Sequence, residues 1–158
     1  MSWMALAGAV VGALIATVSA VLLDRGRRRW EREVRLADVR RALYGEYLAC
    51  LSRARNEFRA LARDRAMGAA ERERGARVGF APCYEVRYQM SITAAPAVVV
   101  ASEEAFRRLR DVRDLAASGV LVEDEAYVAG RVAYEAALAR LRAAMRGDLG
   151  ADRGVGRV

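Results

Sequence analysis

Few side chains in this chain could do chemistry, and their spacing argues against most reactions. There is no histidine, which removes the commonest acid–base group and the commonest metal ligand. Asp111 and Asp114 stand three apart, on one helix face, where two carboxylates can hold a cation. Arg107, Arg110 and Arg113 surround them, so ordinary ion pairing is expected instead. Glu123, Asp124 and Glu125 form the other acidic cluster, at a helix start, where negative charge is favoured anyway. Neither a Gly-x-x-x-x-Gly-Lys phosphate loop nor a Gly-x-Ser-x-Gly elbow occurs, and Gly147-Asp148-Leu149-Gly150 follows a helix rather than opening one. Cys50 and Cys83 lack a paired framework and read as small core residues rather than a bridge or zinc ligands. No catalytic, cofactor-binding or metal-ligating residue is assigned, and an enzyme is not expected.

The basic residues carry more information. All 27 are arginine, and the formal charge of +7 is unevenly spread. Residues 24–67 hold thirteen arginines against seven acids, whereas residues 68–158 hold fourteen against thirteen. The excess therefore begins directly after Trp3–Leu23, a run of 21 residues without a charged side chain. As a helix that run spans roughly 31 Å, which matches a bilayer core of about 30 Å. It is expected to be a transmembrane anchor. Arg25, Arg27, Arg28, Arg29 and Arg32 on its C-terminal side predict an outside N-terminus and a cytoplasmic C-terminal domain at the inner (plasma) membrane. Trp3 and Trp30 bracket the segment at the two interfaces.

A cleaved signal peptide is the main rival, but it wants basic residues before the apolar run, and none are there. Within the run, Gly8, Gly12, Ala16 and Ala20 recur every four residues, a row that lets two helix backbones approach in lipid. The juxtamembrane arginines mark topology and offer contact with lipid headgroups. Nucleic acid is not favoured as a partner, because it would need the same arginines.

The remainder reads as all-α. Leu36, Val39, Leu43, Tyr47, Leu51, Ala54, Phe58 and Leu61 give a long amphipathic helix from Arg27 to about Arg65, with Gly26 as a hinge and Gly45 tolerated for close packing. Residues 66–82 form a charged, glycine-punctuated connection with room for a helical turn of its own, its Glu/Arg run a solvated surface. In residues 83–93, Tyr84, Val86, Tyr88, Met90 and Ile92 alternate like a strand, while Cys83, Val86, Met90 and Thr93 make a helical stripe. A strand would need a partner, so helix is preferred. Pro96 opens a helix to about Ala117, closed by Ser118-Gly119, and Asp124 caps a last helix to about Arg146. Glu31/Arg35, Glu103/Arg107 and Glu104/Arg108 are the expected i,i+4 pairs. The organisation is thus a transmembrane anchor at 1–23, an antiparallel cytoplasmic bundle of three or four helices at 24–146, and a flexible tail at 147–158.

The apolar span followed by DRGRRRWEREVR and RRALYGEYLACL resembles a group of small actinobacterial single-pass membrane proteins with an Arg-rich helical cytoplasmic domain. So do LRAAMRGDLG and the Ala-Ala-Pro step at residues 94–96. The resemblance implies a single-pass anchor with a helical domain and carries over no catalytic residue. The expected function is protein–protein contact or self-association. The partners would be membrane lipid, a second copy of the chain, or an unidentified protein. The alternative is a holin-type pore-forming protein, which toxicity on expression would reveal.

Overall fold

A computed structural model describes the backbone of residues 3–150 and the side chains of residue 31 and residues 34–150. Five helices account for nearly all of it, with no strand among the described residues. They are α1 (Trp3–Arg63), α2 (Ala69–Phe80), α3 (Pro82–Thr93), α4 (Pro96–Ala117) and α5 (Glu125–Asp148). The chain divides into two units, residues 1–39 and 40–158. In the first, Arg35 and Glu31 make the expected i,i+4 pair at 3.8 Å, and Leu36 and Val39 are exposed. The long helix therefore begins its buried stripe at Leu43, seven residues later than the sequence pattern suggests. Its backbone is unbroken at Gly26.

The second unit is the helical bundle, formed by the C-terminal part of α1 with α2 to α5. Tyr47, Leu51, Ala54 and Phe58 of α1 are fully buried, at the expected three- and four-residue spacing. Val98, Ala105, Leu109, Val112 and Ala116 of α4 do the same, and so do Tyr127, Tyr134, Leu138, Leu141 and Met145 of α5. Cys50 and Cys83 join this core as free thiols.

Both prolines of the chain stand at the start of a helix, where the missing N–H costs nothing. Pro82 separates α2 from α3 at Ala81, and Pro96 holds Ala95 in the extended conformation that precedes α4. At the end of α4, Gly119 takes a φ of 88°. Its N–H bonds the Ala116 carbonyl and that of Val120 bonds Leu115, which is a Schellman closure only glycine enters without strain.

One stretch departs from the sequence pattern. Residues 66–82 are not a connection: α2 occupies Ala69–Phe80 and adds a further helix to the bundle. The glycines that read as punctuation are points of close approach. A Cβ on Gly75 would lie 3.0 Å from Leu61 Cδ2, and one on Gly79 3.2 Å from Glu57 Cβ, so these glycines leave room for α1 side chains against the α2 backbone. Arg72 is buried rather than solvated. Its guanidinium donates to the carbonyls of Leu61 (2.5 Å), Asp64 (2.7 Å) and Met67 (3.2 Å), closing the C-terminal end of α1.

At the other end of the bundle, Arg40 Nε donates to the Thr93 carbonyl at 2.9 Å and Nη1 to Asp148 Oδ1 at 3.0 Å. The Tyr44 hydroxyl donates to Asp148 Oδ2 at 2.6 Å. This anchoring draws Gly147 and Asp148 into α5, two residues past its expected end. Residues 151–158, the rest of the expected tail, lie outside the described residues.

Candidate interaction surface

Helix α3 is apolar on two faces, and that is why its sequence looks like a strand. Cys83, Val86 and Met90 turn into the core. Tyr84, Tyr88 and Ile92, four apart, form a second row that the bundle does not cover: Tyr88 is 71% exposed and Ile92 72%. Val100 on α4 is also exposed, at 68%, and lines a groove with Arg87 of α3. Lone exposed apolar residues are ordinary, but three of them in a row on one helix face are not.

The patch is rooted in the core. Tyr84 packs edge-on against Phe80 (5.4 Å between centroids) and Phe106 (5.2 Å), and these two rings lie 4.6 Å apart. Such contacts hold the Tyr84 ring in one orientation at the surface. Arg87 lies over the Phe106 ring at 4.7 Å, and Arg113 over Phe80 at 5.1 Å.

Two adjoining grooves run beside the row and share Arg87 and Glu103. The first, about 460 Å³, is walled by Arg107, Arg110, Glu104 and Val100. The second, about 390 Å³, is walled by Tyr84, Tyr88, Ser91 and Val99. Charge alternates along these walls. Glu103 faces Arg87 across the α3–α4 boundary at 3.7 Å rather than pairing with Arg107 as its spacing predicts. Arg107 turns to Glu104, which also takes the expected bond from Arg108 at 2.9 Å. The Arg108 bond, followed by that from Arg107, holds the Glu104 carboxyl below the usual carboxylate range. Arg87 Nε is buried without a hydrogen-bond partner, its guanidinium lying over the Phe106 ring.

No family model, curated protein or solved structure matches the chain. The surface is therefore read from its own chemistry. Tyrosine and arginine are among the groups most enriched where proteins bind each other.

The residues singled out from sequence fall elsewhere. Gly8, Gly12, Ala16, Ala20, Arg25, Arg27, Arg28, Arg29, Arg32, Trp3 and Trp30 lie in the part of α1 whose side chains are outside the described residues. The expected span at residues 3–23 lies there too. Among the described residues no helix is long and apolar enough to cross a membrane. Asp114 pairs with Arg113 at 2.6 Å, as expected, and Asp111 with Arg108 at 3.7 Å rather than with Arg107 or Arg110, so the acidic pair is used in ion pairs. In the 123–125 trio, Glu123 pairs with Arg65 and Asp124 accepts from the Leu121 N–H at 2.7 Å. Tyr84, Tyr88 and Ile92 are the residues that sequence reading passed over. The signal that marks them was the strand-like alternation itself, which in a helix means two apolar faces.

Proposed function

We propose that this is a single-pass membrane protein whose helical bundle works by protein–protein contact, first of all with a second copy of itself. The observation that carries the contact is the uncovered row Tyr84–Tyr88–Ile92 beside grooves of mixed charge. Arg87, Arg107 and Arg110 share those walls with Glu103 and Glu104. A patch carrying both signs can pair with its own two-fold copy, arginine to glutamate, which favours a like partner over an unlike one.

The anchor is supported by the uncharged run at residues 3–23 and the arginines that follow it. On this reading the bundle is cytoplasmic at the plasma membrane, and Arg25, Arg27, Arg28, Arg29 and Arg32 touch lipid headgroups. The small-residue row Gly8, Gly12, Ala16 and Ala20 would bring the same two copies together within the bilayer.

The test uses the full chain. Carbonate extraction should leave it in the membrane pellet; release into the wash would remove the anchor. In lipid nanodiscs or detergent, sedimentation should show a dimer. The pair Tyr88→Asp and Ile92→Asp should weaken it at least about tenfold, since both side chains are exposed in one copy and buried in two. A dimer indifferent to these changes would remove this surface from the reading, and one indifferent to Gly8→Leu with Gly12→Leu would remove the membrane contact.

A further inference from the structure

Cys50 and Cys83 are the two cysteines of the chain, so no other pairing competes within one molecule. Both are buried in the core, with their sulfurs 3.0 Å apart. A disulfide holds its sulfurs at about 2.0 Å, so the bond forms if they approach by roughly 1 Å.

The surrounding helices hold this contact without help from the thiols. Cys50 lies between Tyr47 and Leu51 in the buried stripe of α1, and Cys83 opens the inner row of α3 that continues through Val86 and Met90. At the far end of α3, Arg40 of α1 donates to the Thr93 carbonyl at 2.9 Å. Folding therefore brings two distant sulfurs to contact distance and raises the effective concentration of one thiol at the other. The residues are 33 apart, and a bond between them would enclose the end of α1 and all of α2. A loop of that length restricts the unfolded chain far more than the folded one.

We propose that Cys50 and Cys83 form a redox-closed staple, a dithiol in a reducing pool and a disulfide after exchange with a low-molecular-weight disulfide such as oxidised glutathione. One cysteine thiolate, reached when the bundle opens, attacks a sulfur of oxidised glutathione; that S–S bond breaks and one glutathione leaves as its thiolate. The other cysteine thiolate then attacks the protein sulfur of the mixed disulfide, which forms the Cys50–Cys83 bond and releases the second glutathione. The two cysteine protons end on the two glutathione thiolates, and the cysteines have given up two electrons. Burial makes the exchange slow, because it waits for openings of the bundle, but the closed bundle sets its equilibrium. Cys83 directly precedes Tyr84, the first residue of the uncovered row, so closure ties the base of that row to α1. Only this last consequence rests on the proposed contact; the bond itself does not.

The experiment refolds the full chain from urea, in neutral detergent, into glutathione buffers of graded reduced-to-oxidised ratio, beside a set kept in urea. Acid quenching, alkylation and mass spectrometry give the fraction carrying the intramolecular disulfide. The native midpoint should lie at a ratio at least about tenfold more reducing than the midpoint in urea. By linkage the oxidised protein should unfold at a higher Tm than the reduced one, and Cys83→Ala should show no such rise. A native midpoint equal to the urea midpoint, or on its oxidising side, overturns the proposal. So does oxidation that yields only glutathione adducts or bonds between chains, or a Tm rise that survives in Cys83→Ala. The comparison of native protein with urea needs no variant, so it decides the matter even if Cys83→Ala does not fold.

Discussion

The sulfur atoms of Cys50 on α1 and Cys83 on α3 lie 3.0 Å apart, both in the core and 33 residues apart in the chain. Each thiol is the other's hydrogen-bond partner, so the polar atoms of the pair satisfy one another where water is absent. Burial pushes the Cys83 thiol up, and the bond with Cys50 pushes it the same way, which removes thiolate at neutral pH. Both cysteines should therefore resist alkylation in the native protein and react together once denaturant opens the bundle. Mass spectrometry of iodoacetamide-treated protein checks this; rapid native modification of either residue would contradict the buried pairing.

Arg72 should be the most sensitive charged residue of the bundle. The last carbonyls of α1 are taken up one by one: Ala60 by the Asp64 N–H, Ala62 by the Val122 N–H, and Leu61 by Arg72. Arg72→Ala strips three carbonyls of their donor, and the expected loss is about 2–3 kcal/mol in urea unfolding. Arg72→Lys should recover only part, because an ammonium cannot fork across carbonyls on separate turns. A loss within experimental error for Arg72→Ala would show that water replaces the side chain there.

Alkaline pH should weaken the fold. Burial raises Tyr134 from 10.0 to about 12. Tyr44, Tyr47 and Tyr127 are raised as well, each chiefly by burial, with Tyr44 helped by its bond to Asp148. Between the ordinary and the raised values the unfolded chain has lost a proton that the native chain keeps. Unfolding is thus favoured as pH rises, and the stability contributed by Tyr134 is complete below pH 10.0 and gone above about 12. Absorbance at the tyrosinate band, followed beside circular dichroism, should show late tyrosine ionisation coinciding with loss of helix. Ionisation of all six tyrosines with the helix intact would contradict the assignment.

Gly45 should be improvable. It sits mid-helix in α1, exposed, and a Cβ placed on it would meet nothing within 4 Å, so the close packing expected of it from sequence is not there. Gly45→Ala should stabilise the protein by about 0.5–1 kcal/mol through the lower entropy of the unfolded chain. Thermal unfolding measures it, and a destabilised variant would mean that something covers this face of α1.

How much was legible in the sequence differs from element to element. For α4 and α5 the apolar spacing, Pro96 and Gly119 fall where local physics wants them, so buried faces could be read without a structure; Asp124 holds the N-cap position of α5, but its carboxylate accepts from the Leu121 N–H rather than from a helix amide. Residues 83–93 were legible as a helix but not as a two-faced one. The choice between core and surface for Tyr88 depends on what lies opposite, which spacing does not encode. Residues 66–82 misled because glycine has two uses. Where chain freedom is wanted it breaks a helix, and where two helices nearly touch it lets them, as Gly75 and Gly79 do against Leu61 and Glu57.

By itself, then, the sequence determined an all-helical chain, the periodic faces of its long helices, and the separation of an uncharged run from an arginine-rich region. These follow from local propensity and from period, which need no partner. Tertiary structure decided what depends on residues distant in the chain. It buried Arg72 against carbonyls up to eleven residues away, brought Asp148 to Arg40 across 108, and set Cys50 against Cys83. It also gathered Arg131 of α5 with Arg55 and Arg59 of α1 along one small cavity. Charge and hydrogen-bond satisfaction act across space, and only the packed bundle assigns each polar group its neighbours.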